Sequence, residues 1–210
     1  MRLFVEKSAR PDSHSYYQKE QPRMQHLVWG VKVDFREHVL FCEARLYFDR
    51  PGQVNLDTRG LLIIDMADCA GNSLAYTLHN PDKILGACLS VTVPSGSTSE
   101  QPSICIRYRT SPNASALQWL DAAQTTDKNH PFLFSQGECI NARSLVPCQD
   151  SPGVRFTVKV ELIVPLALRG LMAASTYGGR QEYSDKGVAF ESWAMDKPIP
   201  AYLLAIAVGD

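Results

Sequence analysis

The feature that most restricts the fold of this sequence is an alternation of apolar and polar residues with a period of two. Residues 156–164 show it most clearly, with the apolar residues Phe156, Val158, Val160, Leu162 and Val164. Residues 29–35 and 40–48 repeat the pattern. Because successive side chains of a strand point to opposite faces, each run predicts a half-buried strand. Residues 36–38 between two of these runs are short enough to form a hairpin loop.

Further apolar runs of strand length follow, separated by turn residues such as Pro51-Gly52, Gly178-Gly179 and Asp185-Lys186-Gly187. They cover residues 54–57, 61–65, 89–93, 104–108, 188–195 and 202–208. Only residues 114–123 have helical spacing, with Leu117 and Leu120 on one side. Many short strands with few helical signals are typical of packed sheets. We predict an all-β sandwich of mixed and antiparallel sheets with at most one short helix.

The domain boundaries follow from the same pattern. Residues 1–25 are largely polar and contain Pro11 and Pro22, which predicts an extended, loosely held lead-in. Residues 26–210 carry the strand pattern and predict one β domain. Of the 210 residues, 45% are hydrophobic, enough to build a core for a domain of this size.

Charge and hydropathy argue against two classes of partner. The formal net charge is -1 and the basic residues are scattered, so no nucleic-acid-binding surface is predicted. No segment approaches the roughly 20 apolar residues of a membrane helix, and the first apolar run is too short for a signal peptide. We therefore expect a cytoplasmic protein. The six cysteines are then expected to be free thiols, largely within strands: Cys42, Cys69, Cys88, Cys105, Cys139 and Cys148.

Common catalytic motifs are absent from the sequence. No histidine is followed by glutamate, so the His-Glu-x-x-His zinc helix is not present. The five histidines lie far apart and lack the spacing of metal ligands. We expect no metal site and no catalytic residue in this chain.

Residues 131–152 form an irregular segment in which polar and apolar residues mix, and three interpretations compete. Cys148 could be a nucleophile with His130 as base and Asp150 as the orienting group. Alternatively, Gln136 and Glu138 share a face of an extended segment, where an amide and a carboxylate suit an amine ligand. The third interpretation is a solvated strand end without function.

A family resemblance adds to this interpretation. Residues 110–120 and 130–136, together with Leu56-Asp57-Thr58, resemble the leukotriene A4 hydrolase-like branch of the M1 zinc metallopeptidases. Residues 142–152 resemble that family's Ala-Arg-x-x-x-Pro-Cys-x-Asp-x-Pro signature, and residues 198–209 its last N-terminal-domain strand. The resemblance runs from about residue 26 to the C-terminus and is weak around residues 66–103.

The resemblance implies a saddle of β-sheets that lies against a separate catalytic domain, which would hold the zinc. It also implies that Gln136, Gly137 and Glu138 form a substrate-binding loop that receives the free α-amino group of a peptide. Arg143 is then expected to anchor this loop and Asp150 to cap a turn. Family members have either Gln or Glu at the Glu138 position. Because a carboxylate pairs with an ammonium more strongly than an amide does, Glu138 predicts peptide trimming as the main activity.

The expected partners are therefore the amino end of a peptide and the protein's own catalytic domain, without which this chain should be inactive. Phe132, Leu133 and Phe134 are candidates for an apolar patch at the contact between the two domains. The alternative is a stand-alone, non-catalytic β-sandwich that binds other molecules.

Overall fold

The computed structural model describes residues 12–95 and 101–210. Fourteen strands and three short 3-10 turns cover most of these described residues. The strands are β1 (Met24–Asp34), β2 (Val39–Phe48), β3 (Gly52–Thr58), β4 (Leu62–Asp68), β5 (Tyr76–Leu78), β6 (Ala87–Val93), β7 (Ser103–Arg109), β8 (Leu117–Leu120), β9 (Phe132–Ser135), β10 (Arg155–Pro165), β11 (Arg169–Met172), β12 (Ser175–Tyr183), β13 (Val188–Pro200) and β14 (Ile206–Gly209). The 3-10 turns are Ala122–Gln124, Ala142–Ser144 and Ala201–Leu203.

The largest sheet has seven strands in the order β12-β13-β10-β1-β2-β7-β4. Its strands pair antiparallel except for β1 and β10, which run parallel, with Leu27 opposite Val158. The predicted hairpin at residues 36–38 joins β1 to β2. The predicted alternation is confirmed in β10, where every second side chain is buried.

Two smaller antiparallel sheets complete the fold. One has four strands in the order β11-β14-β9-β8, and the other has three in the order β3-β6-β5. Apolar side chains from all three sheets form one continuous core. The predicted all-β class with packed mixed and antiparallel sheets is thus confirmed.

A buried polar chain at the centre of the core ties the large sheet to the segment that follows β9. Trp29 Nε1 donates a hydrogen bond to Tyr108 Oη at 2.8 Å, and this hydroxyl donates to the Leu145 carbonyl oxygen at 2.9 Å. All three residues are fully buried. Each polar atom in this chain therefore has a partner, as burial requires.

The helix predicted over residues 114–123 is wrong. Residues 117–120 form β8, which pairs antiparallel with β9, and only Ala122–Gln124 makes a 3-10 turn. A segment this short gains little from its own helical bonds. As a strand, the segment places Leu117 in the core, and its backbone groups form hydrogen bonds with β9.

Two strand assignments also change. Residues 202–208 were expected to form one strand, but the Ala201–Leu203 turn precedes β14, because the chain passes here from the large sheet to the four-stranded sheet. Gly178 and Gly179 lie inside β12 rather than in a connecting turn. Both have positive φ angles, 75° and 74°, and the pairing with β13 is interrupted between Thr176 and Arg180. Glycine allows this left-handed backbone.

The lead-in is partly attached to the domain. Residues 1–11 lie outside the described residues, while Ser15 and Tyr17 are buried.

The predicted apolar patch is only partly exposed, since Leu133 is buried and Phe134 is 39% exposed. Within residues 12–95 and 101–210, no helix has the length and apolar character needed to span a membrane.

Candidate functional site

The predicted substrate-binding residues lie on a loop that leaves the end of β9 and enters the Ala142–Ser144 turn. Gln136 begins the loop, and its backbone N–H donates to the Ala116 carbonyl oxygen at 2.8 Å. The Glu138–Cys139 peptide bond is cis. The side chains of Gln136 and Glu138 are exposed, whereas Gly137 between them is buried. The loop therefore exposes an amide and a carboxylate to solvent on either side of the buried Gly137.

Gly137 is required by the close approach of another segment. A Cβ atom at this position would lie 2.7 Å from the carbonyl oxygen of Tyr202, which belongs to the Ala201–Leu203 turn. Any larger residue would force the two backbones apart. The loop is thus packed directly against the segment that leads into β14.

Asn141 closes the loop by hydrogen bonds. Its backbone N–H donates to the Gly137 carbonyl oxygen at 2.9 Å, and its Nδ2 donates to the Glu138 carbonyl oxygen at 3.1 Å. Arg59 Nη1 in turn donates to Asn141 Oδ1 at 3.0 Å. Burial, with the nearby charge of Arg143, lowers the pKa of Arg59. Sequence patterns identified neither Arg59 nor Asn141, since both are polar residues without a motif of their own.

Behind the loop lies a buried charged cluster, which we define as Asp57, Arg143 and Asp150. Arg143 Nε contacts Asp150 Oδ2 at 2.9 Å, and Arg143 Nη1 lies 3.4 Å from Asp57 Oδ1. The side chains are 0%, 0% and 2% exposed for Arg143, Asp57 and Asp150. Burial raises the pKa of Asp150, and the charge of Arg143 opposes this rise.

The lead-in supplies further partners to this buried charged cluster. Ser15 Oγ donates to Asp57 Oδ2 at 2.6 Å, and the Tyr16 N–H donates to Asp57 Oδ1 at 2.8 Å. Arg143 Nη2 donates to the His14 carbonyl oxygen at 2.7 Å. Burial of a charge is tolerated only when its hydrogen bonds are made, and these contacts make them.

The expected roles of Arg143 and Asp150 are therefore borne out in part. Arg143 forms anchoring hydrogen bonds, but its N–H groups hold His14, Leu85 and Asp150 rather than residues 136–138 of the loop. Asp150 is not seen to cap the turn before Pro152; its Oδ2 accepts instead from the backbone N–H of Arg143, in the Ala142–Ser144 turn, at 3.3 Å. It accepts from Arg143 Nε, and its own backbone N–H donates to Asp57 Oδ2 at 2.9 Å.

The structure does not support Cys148 as a nucleophile. The thiol is fully buried, and burial raises its pKa well above the ordinary value. Its backbone pairs with Asp57, while His130 Nδ1 contacts Asp127 Oδ2 at 2.7 Å instead. A buried, protonated thiol without a base is a poor nucleophile.

The argument for the amine site also changes. Gln136 and Glu138 do not share one face of a strand, because β9 ends at Ser135 and Glu138 lies in a turn. Both side chains are nevertheless exposed. Neither makes a side-chain hydrogen bond or ion pair within residues 12–95 and 101–210. These groups remain available to an external ligand, in contrast to the buried charged cluster.

We tested whether the chain's own residues fit a hydrolytic zinc. Among the described residues, one group brings three possible ligand atoms within 4.8 Å of one another, namely Asp127, His130 and Asp210. It offers one half-buried imidazole and two exposed carboxylates. Catalytic zinc sites use at least two His or Cys ligands in the well-known donor sets, so this group does not fit.

Comparison with known proteins identifies the family. The sequence-family model named peptidase M1 N-terminal domain matches residues 44–203 of this chain. Leukotriene A-4 hydrolase of Xenopus laevis is 35% identical over 203 residues, which are 94% of this chain and 33% of that protein. Leucine aminopeptidase 2 of Aspergillus terreus is 35% identical over 158 residues, 74% of this chain and 25% of that protein.

Solved structures agree in fold. Native yeast LTA4 hydrolase superposes with a TM-score of 0.78 at 26% identity, covering 100% of this chain and 33% of that one. An M1 zinc metallopeptidase from Deinococcus radiodurans gives a TM-score of 0.71 at 19% identity, over 90% of this chain and 42% of that one. The chain thus spans a third or less of the length of the two curated relatives. It belongs to the family of M1 peptidase N-terminal domains.

Proposed function

We propose that this chain is the substrate-positioning domain of a zinc-dependent aminopeptidase that removes N-terminal residues from peptides. In this proposal Gln136, Gly137 and Glu138 receive the α-amino group of the substrate. The observation that carries it is the loop itself, which exposes two polar side chains that have no partner among the described residues, on a backbone fixed by Gly137 and Asn141.

The chemistry of these side chains suits an ammonium group. A carboxylate accepts charge-assisted hydrogen bonds, and the amide oxygen of Gln136 adds a neutral acceptor. An ammonium has three N–H donors and no acceptor, so two acceptors on one loop satisfy most of it. The fixed backbone lowers the entropy lost when the ligand is bound, which favours affinity.

The zinc of such an enzyme would be held outside the described residues, in a catalytic domain that is this domain's partner. When bound, zinc supplies a Lewis acid and a water of lowered pKa for hydrolysis of the first peptide bond. Glu138 would hold the amino end at a fixed distance from the reacting carbonyl. Cleavage is then restricted to one residue from the end of the peptide. The 210-residue chain alone is expected to be inactive.

Two finer points follow from the proposal. Glu138, rather than glutamine, favours peptides over uncharged substrates, because only a charged amine gains the full strength of a carboxylate partner. A cytoplasmic location is supported by the cysteines, all of which are free thiols in the structure.

The test is substitution of Glu138 in the full-length enzyme that carries this domain. Glu138→Ala is expected to raise KM for aminoacyl amides about tenfold, the usual weight of a charge-assisted hydrogen bond. Glu138→Gln should give a smaller increase, because the amide keeps the acceptor and loses the charge. Glu161→Gln is the matched control, since Glu161 is an exposed carboxylate in the middle of β10. Kinetics unchanged by Glu138→Ala would remove the proposed role.

A further inference from the structure

We infer that Asn141 and Arg59 are positioning residues for the amine-binding loop, and that they set its affinity for amine-bearing substrates without touching the substrate. This inference rests on the proposed role of Glu138. It concerns two residues that lie behind the loop, and it makes their side chains part of the recognition of the amino end.

Every polar group of Asn141 has a hydrogen-bond partner, and two of these groups hold the loop. Its backbone N–H and its Nδ2 donate to two successive carbonyl oxygens, those of Gly137 at 2.9 Å and Glu138 at 3.1 Å. Its own carbonyl oxygen accepts from Ser144 N and Oγ, at 2.9 and 2.8 Å. Among the described residues, the hydrogen bond from Asn141 Nδ2 is the one side-chain contact with the carbonyl oxygen of Glu138.

An amide is the side chain that suits this position. Nδ2 donates to Glu138 while Oδ1 accepts from Arg59 Nη1 at 3.0 Å. An aspartate would keep the contact with Arg59 but would face the Glu138 carbonyl oxygen with a second acceptor. A serine would be too short to bridge both partners. The contact therefore requires a donor and an acceptor on one planar group.

Arg59 connects this amide to the rigid part of the domain. Its backbone N–H donates to the Arg143 carbonyl oxygen at 2.9 Å, which joins it to the buried charged cluster. Its Nη1 also donates to Ser115 Oγ at 3.2 Å, and its Nη2 donates to the Ile84 carbonyl oxygen. The guanidinium thus links three separate segments, and Asn141 extends that link to the loop.

The consequence for binding follows from preorganisation. Fixing the peptide group of Glu138 limits the positions its carboxylate can take, so less entropy is lost when an ammonium binds. Without the amide of Asn141, the carboxylate remains present but samples more positions. The loss should affect ligands with an α-amino group and spare ligands without one.

The experiment uses the full-length enzyme and two inhibitors, leucine hydroxamate and its des-amino analogue. Both have a hydroxamate that binds a catalytic zinc, and only the first has the α-amino group. Asn141→Asp and Asn141→Ser should each raise the inhibition constant of leucine hydroxamate roughly fivefold, the usual weight of one hydrogen bond. The constant of the des-amino analogue should stay unchanged. Asn80→Asp, the same change at an exposed position outside the strands, is the control.

Equal weakening of both inhibitors, or of neither, would overturn the inference. Glu138→Ala, measured with the same two inhibitors, distinguishes failure of the proposed function from failure of the positioning role. If it leaves both inhibitors unaffected, the proposed function itself fails. A different outcome is that Glu138→Ala weakens leucine hydroxamate binding selectively while the Asn141 variants leave both inhibition constants unchanged. In that case the proposed function stands and only the positioning role of Asn141 and Arg59 is wrong. Arg59→Lys, which keeps the charge but loses the planar fork, gives the same test if the Asn141 variants do not fold.

Discussion

The buried charged cluster and the loop at residues 136–138 carry similar polar groups in opposite surroundings. Asp57, Arg143 and Asp150 are at most 2% exposed, and each has protein partners. Gln136 and Glu138 are exposed and have no side-chain partner within the described residues. Only four residues, 139–142, separate Glu138 from Arg143. The difference teaches that partners, rather than residue type, separate a structural charge from one available to a ligand.

The largest expected effect breaks the buried side of this comparison. Arg143→Leu leaves Asp57 and Asp150 buried without their cation, which should lower the free energy of unfolding by about 3–5 kcal/mol. Urea unfolding followed by circular dichroism measures it. Arg107→Leu is the matched control, because Arg107 pairs with Asp65 on the surface at 60% and 40% exposure. Its effect should be much smaller, since exposed pairs are screened by solvent. Equal losses in the two variants would contradict the distinction.

A smaller effect is expected where the loop meets the rigid part of the domain. Gly137→Ala places a Cβ atom 2.7 Å from the Tyr202 carbonyl oxygen, and overpacking of this kind costs about 1–3 kcal/mol. The same urea unfolding detects the change. Gly153→Ala serves as control, because its nearest contact would be 3.9 Å away. If Gly137→Ala were as stable as Gly153→Ala, the loop would be less tightly packed than the structure indicates.

Alkylation of the cysteines compares the buried and exposed regions and is the smallest of the three perturbations. Burial raises the pKa of Cys42 to about 12 and of Cys105 to about 11, and it raises the pKa of Cys148 well above its ordinary value. Because the thiolate is the reactive form, these thiols should resist iodoacetamide at pH 8, and the rate at Cys105 should keep rising as the pH approaches 11.

Cys139, exposed on the loop, should instead react at the rate of the exposed Cys69. Peptide mass spectrometry after timed alkylation measures each rate. Rapid modification of Cys148 in the folded protein would show that the segment around the buried charged cluster opens readily.

The sequence predicts the strands well and their arrangement less well. Period-two alternation identifies β1, β2 and β10 directly, because these strands have one buried face. The helix prediction for residues 114–123 is wrong because the spacing of Leu117 and Leu120 is typical of one helix face, whereas in β8 the two side chains lie on opposite faces. Local spacing cannot reveal such pairing, which depends on a partner further along the chain.

The site shows the same limit. The loop residues Gln136 and Glu138 stand out because polar groups interrupt an apolar segment. Their chemistry suggests an amine ligand, the family resemblance favours that interpretation, and it remains a prediction. The buried charged cluster could not be assembled from the sequence, since Asp57 and Asp150 are 93 residues apart. Asn141 contacts the loop through backbone carbonyl groups and Arg59 contacts it through Asn141, and no residue pattern records either contact.

The parallel pairing of β1 with β10 has a consequence during synthesis. β1 lies between β2 and β10, and contacts such as His26 with Thr157 join residues 131 positions apart. A nascent chain can form the β1–β2 hairpin early, but the other edge of β1 stays unpaired until β10 has left the ribosome. An open strand edge is a template for aggregation, and long-range pairing folds slowly. Translation of the intervening segments is therefore the period in which this domain most needs protection by a chaperone.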